Sequence, residues 1–358
     1  MPAAIDPSPS PASPTSRLHR AARLEDRFHQ LRERWARRRG LVAAVIPFTG
    51  YGSTEWVRVL CRVQLGHKGA SARTPLIGRR GWRSFTGIHV ANALVTVRAG
   101  EATREVRADR GGVVDVRVEV SLAPGWHDIL ISVEGSKPLV APVFIVDPAV
   151  DFGLVSDIDD TVMVTALPRP FLAAWNTFVL NEHARRPVPG MAVLYERLMR
   201  AHKRAPIVFL STGAWNVAPA LNRFLERNLY PQGPLLLTDW GPTHDRWFRS
   251  GREHKRTSLD RLAEEFPSIR WLLVGDDGQH DESIYGEFVQ AHPTNVAGVA
   301  IRQLSTSEAV LAGGRSKEGP ENTPGVNWFY APDGAGLSEQ LGEAGILPTK
   351  FAGWYKGQ

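Results

Sequence analysis

The hydrophobic rhythm of the chain changes near Asp147, and that change limits the folds open to it. Between Leu41 and Asp147 apolar residues come in short runs: LVAAVIPF, EWVRVLCRVQL, ALVTVRAG, REVRAD, VVDVRVEVSL, HDILISVEG and PLVAPVFIVD. Several alternate strictly, and turns rich in Gly, Pro or Asn separate them. A period of two is what a strand with one buried face requires. About seven such strands predict an all-β sandwich domain over 41–148. It holds no acid or histidine constellation, so its expected work is positioning, binding or dimerisation.

From Phe152 the rhythm becomes strand, then helix. Apolar strand candidates at 152–156, 206–211, 235–238, 270–275 and 296–301 alternate with helical patterns near 190–202, 216–228, 257–266 and 281–291. Such alternation predicts an α/β domain over 150–305, with a parallel sheet covered by helices on both faces. Ligands in such sheets bind beyond the carboxyl ends of the strands, so the chemistry is sought there.

The two ends read differently. Residues 1–15 are Pro, Ser and Ala with nothing to bury, and predict a disordered tail. Over 16–40, Leu24, Phe28, Leu31 and Trp35 recur at helical spacing while arginines fill most other positions, which predicts a basic amphipathic helix. Such a stripe most often docks on its own domain; the other reading lays residues 16–39 on an anionic membrane surface. Residues 306–358 are expected to be a partly ordered tail.

A net charge of +6 and a pI near 9.7 favour an anionic partner, but nucleic acid, membrane surface and phosphorylated metabolites would all satisfy that. Nucleic acid is disfavoured because the basic run lacks a recognised reading fold and no aromatic stacking platform is evident. Cys61 is the single cysteine, so it forms no intramolecular disulfide and reads as a small buried hydrophobe. The longest apolar stretch, Leu41 to Phe48, falls far short of the roughly 20 residues that span a bilayer. No signal segment opens the chain, so a cytoplasmic protein, peripheral to the membrane if the helix meets lipid, is expected.

The densest chemical signal is Ser156-Asp157-Ile158-Asp159-Asp160-Thr161-Val162, at the end of the first strand of the second domain. Asp157 and Asp159 are two apart, so a continuing strand would project both carboxylates to one side. Acids so crowded repel unless a cation sits among them, and a hard oxygen-seeking divalent ion, magnesium above all, is the natural counter-charge. Paired carboxylates are what phosphoester hydrolysis through an aspartyl-phosphate needs: one attacks phosphorus, the other protonates the leaving alcohol and then activates water. The alternatives are a structural turn or a calcium loop, and the latter lacks the downstream Glu at EF-hand spacing.

The D-x-D-x-T run after an apolar strand resembles the first motif of the haloacid dehalogenase superfamily. Three further stretches resemble its other motifs, in order. PIVFL ends in Ser211-Thr212; REHKRTSLDRL carries Lys255; WLLVGDDGQHD supplies Asp276 and, five residues on, Asp281. Together with PVPGMAVLYERL, Ala214-Trp215-Asn216, GPLLLTDWG, His254-Lys255 and GDDGQHDESIYGEF, the stretch 150–305 is similar to the phosphatidate phosphatase family of actin patches and its bacterial relatives. Gly275-Asp276-Asp277-Gly278 differs from the family's Gly-Asp-Ser-Gly and adds a carboxylate near the metal. Ser211-Thr212-Gly213-Ala214 differs from its Ser-Asn-Ser-Pro-like turn, which leaves Thr212 as an alternative hydroxyl.

The resemblance implies a Rossmann-like fold, a magnesium ion, and hydrolysis of phosphatidate to diacylglycerol and phosphate. It implies Asp157 as nucleophile, Asp159 as acid and base, and Ser211 and Lys255 as binders of the transferring phosphoryl group. Asp157, Asp159 through its main-chain carbonyl, Asp276 and Asp281 would serve the metal, Asp281 also orienting Lys255. Thr212, Gly213 and Thr161 would complete the substrate side, Thr161 chiefly by supporting the loop, and His254 is a further candidate for phosphate. An insertion over 162–189 would form a flap, bringing Phe171, Leu172, Trp175 and Phe178 toward acyl chains; at helical spacing they equally suit a core. Two rival readings remain: a phosphatase of a soluble phosphoester, and a lipid- or protein-binding module with an idle phosphatase domain.

Overall fold

The computed structural model describes residues 31–67, 87–164, 186–238, 244–278, 280–311, 314 and 325–348. Of the basic segment, residues 31–38 are helical, and the remainder lies outside the described residues, as do the tail at 1–15 and the flap aromatics at 171–178. Within that helix the expected docking face is reversed. Leu31 and Trp35 are 62% and 55% exposed, while Ala36 is fully buried. The Arg39 guanidinium lies 3.4 Å from the centroid of the Trp35 ring.

The alternating runs form strands β1 (Leu41–Pro47), β3 (Trp56–His67), β4 (Leu94–Ala99), β5 (Ala102–Arg107), β6 (Val113–Glu119), β7 (Gly125–Val133) and β8 (Leu139–Ile145). A further strand, β2 (Gly50–Ser53), is too short and Gly-rich to announce itself by periodicity. The eight strands form one sheet in the order β1-β3-β2-β8-β7-β4-β5, with β6 also on β3. Pairing is antiparallel except between β2 and β8. β1 meets β7, and β5 meets β6, although each pair is apart in the order, so the expected sandwich is built from one continuous sheet that curls around its core and not from two separate sheets. That core is built from the buried alternate positions, among them Val57, Val59, Cys61 and Val63 on β3.

The second half folds around a parallel sheet of six strands: β9 (Phe152–Asp157), β12 (Ile207–Ala214), β13 (Leu235–Thr238), β14 (Arg270–Asp276), β15 (Val296–Arg302) and β16 (Trp328–Ala331). Their order is β13-β12-β9-β14-β15-β16, with β9 and β14 at the centre. Every residue of β9 is buried, which is why FGLVSD lacks alternation: a central parallel strand is covered on both faces. The chain steps outward from β9 to β13, then crosses to β14 and steps outward the other way. Right-handed crossovers therefore place the helices Met191–Ala201 and Ala218–Arg227 on one face, and His244–Glu265 and Asp281–Ala291 on the other. The topological switch falls between β9 and β14.

Two features differ from expectation. The helix before β14 begins at His244, well ahead of the pattern near 257–266, because its first half is too polar for an apolar stripe. β16 and the helix Gly334–Glu343, which packs on Met191–Ala201, lie in the stretch read as a partly ordered tail. A small hairpin of β10 (Met163–Val164) and β11 (Arg186–Pro187) brackets the undescribed insertion.

Candidate active site

Strand pairing alone brings the acids together. Asp157 ends β9 and Asp276 ends β14, neighbours at the switch point, and both are buried. Asp281 opens the helix after β14, where the exposed N–H groups of a helix start favour a carboxylate. Its close approach depends on Gly275: a Cβ there would lie 2.6 Å from Asp281 Oδ2 and 2.7 Å from the Tyr285 ring. One carboxylate oxygen from each of Asp157, Asp276 and Asp281 can lie within 4.8 Å of the other two.

Lys255 enters from the helix His244–Glu265 and donates to Oδ1 of Asp157 and Oδ1 of Asp281, each at 2.6 Å. Burial opposes its charge, but the two carboxylates outweigh burial and raise its pKa. Burial is also the largest influence on Asp157 and pushes its carboxyl well above the usual range; Lys255 pulls it back, while Asp281 and Asp159 add to the rise. Asp276 is pushed up the same way, by burial and then by Asp281 and Asp157. Three buried carboxylates share one ammonium, an imbalance a low-dielectric interior does not tolerate. An all-oxygen anionic donor set suits a hard divalent cation, whose charge would reverse the upward push on the acids.

Asp159 points elsewhere. Its Oδ2 accepts from Ser211 Oγ at 3.1 Å, and Ser211 Oγ in turn accepts from the Gly213 N–H at 3.0 Å. The Asp159 carboxylate thus turns to Ser211 and is not among the Asp157, Asp276 and Asp281 group, though it is near enough to raise the Asp157 pKa. The expected participation of Asp159 in the metal set is therefore not carried by its side chain.

Three further side chains find partners within the fold. Thr161 has no exposed surface, and its Oγ1 donates to Asp157 Oδ2 at 3.3 Å, so its hydroxyl supports the loop that carries Asp157. Asp277 Oδ1 accepts from Leu304 N–H at 2.8 Å, toward the end of β15, and Asp277 is not among the three-carboxylate group. The half-buried His254 ring is engaged with the Leu236 main chain. Thr212 is half-buried beside the site, and its carbonyl and that of Gly213 accept from Thr238 Oγ1 at 2.9 and 3.2 Å, which holds the turn.

Two supporting residues were not singled out in the sequence. Tyr195 Oη lies 2.5 Å from Ser156 Oγ, on the residue before Asp157. Arg302, at the end of β15, donates to the Asp160 carbonyl at 2.7 Å. Asp160 has φ 58°, a left-handed conformation that costs a non-glycine residue, and this bond helps retain it.

Residues 152–303 match the family model of the catalytic domain of phosphatidate phosphatase APP1. Phosphatidate phosphatase APP1 of Saccharomyces cerevisiae is 23% identical over 206 residues, 56% of this chain and 34% of that protein. An uncharacterised protein of Schizosaccharomyces pombe is 25% identical over 152 residues, 42% of this chain and 25% of its own length. The chain thus spans 34% and 25% of the lengths of these relatives. Among solved structures, a carbohydrate acetylesterase from Xanthomonas citri is 12% identical with a TM-score of 0.28, over 76% of this chain and 73% of that one. A likeness of that size carries no argument.

Proposed function

We propose that this chain, whose residues 152–303 match the family model of the catalytic domain of phosphatidate phosphatase APP1, is a magnesium-dependent phosphatase of haloacid dehalogenase type that hydrolyses phosphatidate to diacylglycerol and phosphate. One observation carries the chemistry: the Lys255 ammonium bridges Asp157 and Asp281 at 2.6 Å each, while Asp276 closes a three-carboxylate group beside it.

An oxygen of Asp157 attacks phosphorus, and the bond to the glyceryl oxygen breaks. That oxygen leaves with a proton from Asp159, giving alcohol and an aspartyl-phosphate on Asp157. Asp159, now a carboxylate, takes a proton from a water that attacks the same phosphorus; phosphate departs and Asp157 is regenerated. Lys255 and Ser211 hold the phosphoryl oxygens, where charge and hydrogen bonds count most in the transition state. Asp157, Asp276 and Asp281, with the main-chain carbonyl of Asp159, would hold magnesium, which supplies charge neutralisation at the phosphoryl group.

Access to a lipid substrate is ascribed to the basic helix. Among the described residues no helix is long and apolar enough to cross a membrane. Exposed Leu31 and Trp35, flanked by Arg32, Arg34, Arg37, Arg38 and Arg39, suit the interface of an anionic bilayer.

The test is magnesium-dependent phosphate release from phosphatidate in mixed micelles and from glycerol 3-phosphate, with Asp157→Asn as the blank. Release from the lipid alone, abolished in the variant, supports the proposal. Release from the soluble ester alone retains the mechanism and removes the lipid; release from neither overturns both.

A further inference from the structure

The site stands on several chain segments, and the β-sandwich grips two of them. Lys255 lies midway along the helix His244–Glu265, and the far end of that helix carries Arg261 and Glu265. Glu265 accepts from Tyr51 Oη at 2.8 Å and from Arg58 Nε at 3.1 Å, and also contacts Arg58 Nη2. Arg58 Nη1 donates to Asp115 Oδ1 at 2.7 Å, and the other oxygen of Asp115 accepts from Arg261 Nη1 at 2.8 Å. The ring Glu265, Arg58, Asp115, Arg261 thus runs from helix to sandwich and back, with two attachments one turn apart. Glu265 and Arg58 are largely removed from water, with side chains only 8% and 13% exposed.

Aromatic packing seals this contact. Phe266 lies against Trp56 and Tyr51, with ring centroids 5.6 and 6.0 Å apart. The second grip is on the Ser211 turn: Phe48 stacks on Trp215 at 4.8 Å, and Trp215 opens the turn that follows β12. Phe48, Tyr51, Trp56 and Leu60 of the sandwich belong to the same apolar cluster as the core of the α/β domain.

A helix transmits position along its axis. Ten residues separate Lys255 from Glu265, ~15 Å of helix. Anchoring two successive turns at one end sets both its axial position and its rotation, and so where Nζ falls between Asp157 and Asp281. Partly buried ion networks contribute little net stability but discriminate between alternative registers, because each wrong one leaves a charge unpaired.

We propose that the β-sandwich is part of the catalytic apparatus, with Glu265 as the positioning residue for Lys255 and Phe48 as the positioning residue for the Ser211 turn. The inference rests on the proposed roles of Lys255 and Ser211. The test uses the full chain, magnesium and p-nitrophenyl phosphate, comparing Glu265→Gln, Glu265→Asp and Phe48→Leu with Lys255→Met. Glu119→Gln is the control, since its carboxylate pairs with exposed Arg117 in the same domain, outside the Glu265, Arg58, Asp115 and Arg261 ring.

Glu265→Gln and Phe48→Leu are each expected to lower kcat about ten-fold with KM changed less than two-fold, as misplacement of a catalytic group predicts. Glu265→Asp should recover part of that loss, and Glu119→Gln should match the parent chain. Circular dichroism at the assay temperature gives the folded fraction. Parental kcat in the folded fraction of both Glu265→Gln and Phe48→Leu, with Lys255→Met inactive, would overturn the inference and leave the catalytic reading standing. A fully active Lys255→Met would overturn the catalytic reading and the inference with it.

Discussion

The Nζ atom of Lys255 stands 2.6 Å from Oδ1 of Asp157, a buried ion pair between residues 98 positions apart in the chain. Both side chains are almost wholly removed from water, at 8% and 3% exposure. In such surroundings removing one member costs more than the pair itself contributes, because the other charge is left unsolvated.

Replacing Lys255 by Met is therefore expected to destabilise the protein by about 3–5 kcal/mol at neutral pH, and to lower phosphatase activity by at least two orders of magnitude. Denaturant melts with and without magnesium check the first part. The cation should restore a share of the lost stability, since it neutralises the same carboxylates.

Magnesium should stabilise the parent chain as any ligand of the native state does. At a hundred times its dissociation constant the gain is about 2.7 kcal/mol, equivalent to several degrees in Tm. Chelation by EDTA should reverse it. In Asp276→Asn the shift should shrink or vanish; an undiminished shift would show that the cation binds outside the group of Asp157, Asp276 and Asp281.

Gly275→Ala should cost more activity than its size suggests. A methyl group there would meet Asp281 Oδ2 at 2.6 Å, so the carboxylate that holds Lys255 must retreat. The expected result is at least a hundred-fold loss of kcat, with destabilisation of about 1–3 kcal/mol, the usual range for overpacking. Gly286→Ala, where a Cβ would meet nothing within 4 Å, is the matching control.

His254 links stability to pH. Burial is the main cause that lowers its pKa from 6.5 to about 4, and its Nε2 is enclosed without a hydrogen-bond partner. Its folded pKa lies below the unfolded one, so between these values the unfolded chain binds more protons. Stability should be complete above pH 6.5 and fall as the pH drops toward 4. Because the ring is only partly enclosed, the expected loss is on the order of 2 kcal/mol. His254→Gln should flatten that portion of a pH series of urea melts; an unchanged slope would assign the effect to other groups.

Periodicity and motif order were enough to place Asp157, Ser211 and Asp276 at or near strand ends and Asp281 at a helix start, because local backbone geometry decides all of these. The all-buried run FGLVSD likewise betrays a central parallel strand without reference to the rest of the chain. Which oxygen faces which was not legible. Thr161 turned to Asp157, Asp277 to the Leu304 N–H, and Asp159 to Ser211, each choice depending on partners distant in sequence or on loop backbone that no spacing reveals. The contacts of Arg302 with the Asp160 carbonyl and of Tyr195 with Ser156 were not legible either, since a single buried polar contact leaves no periodic trace. The same holds for Glu265, Arg58 and Phe48. Sequence by itself determined the elements and the acids they carry, because those follow from short-range sterics and burial patterns. Tertiary structure alone decided that the sandwich grips the Lys255 helix, because that contact exists only once two separately patterned domains share one core.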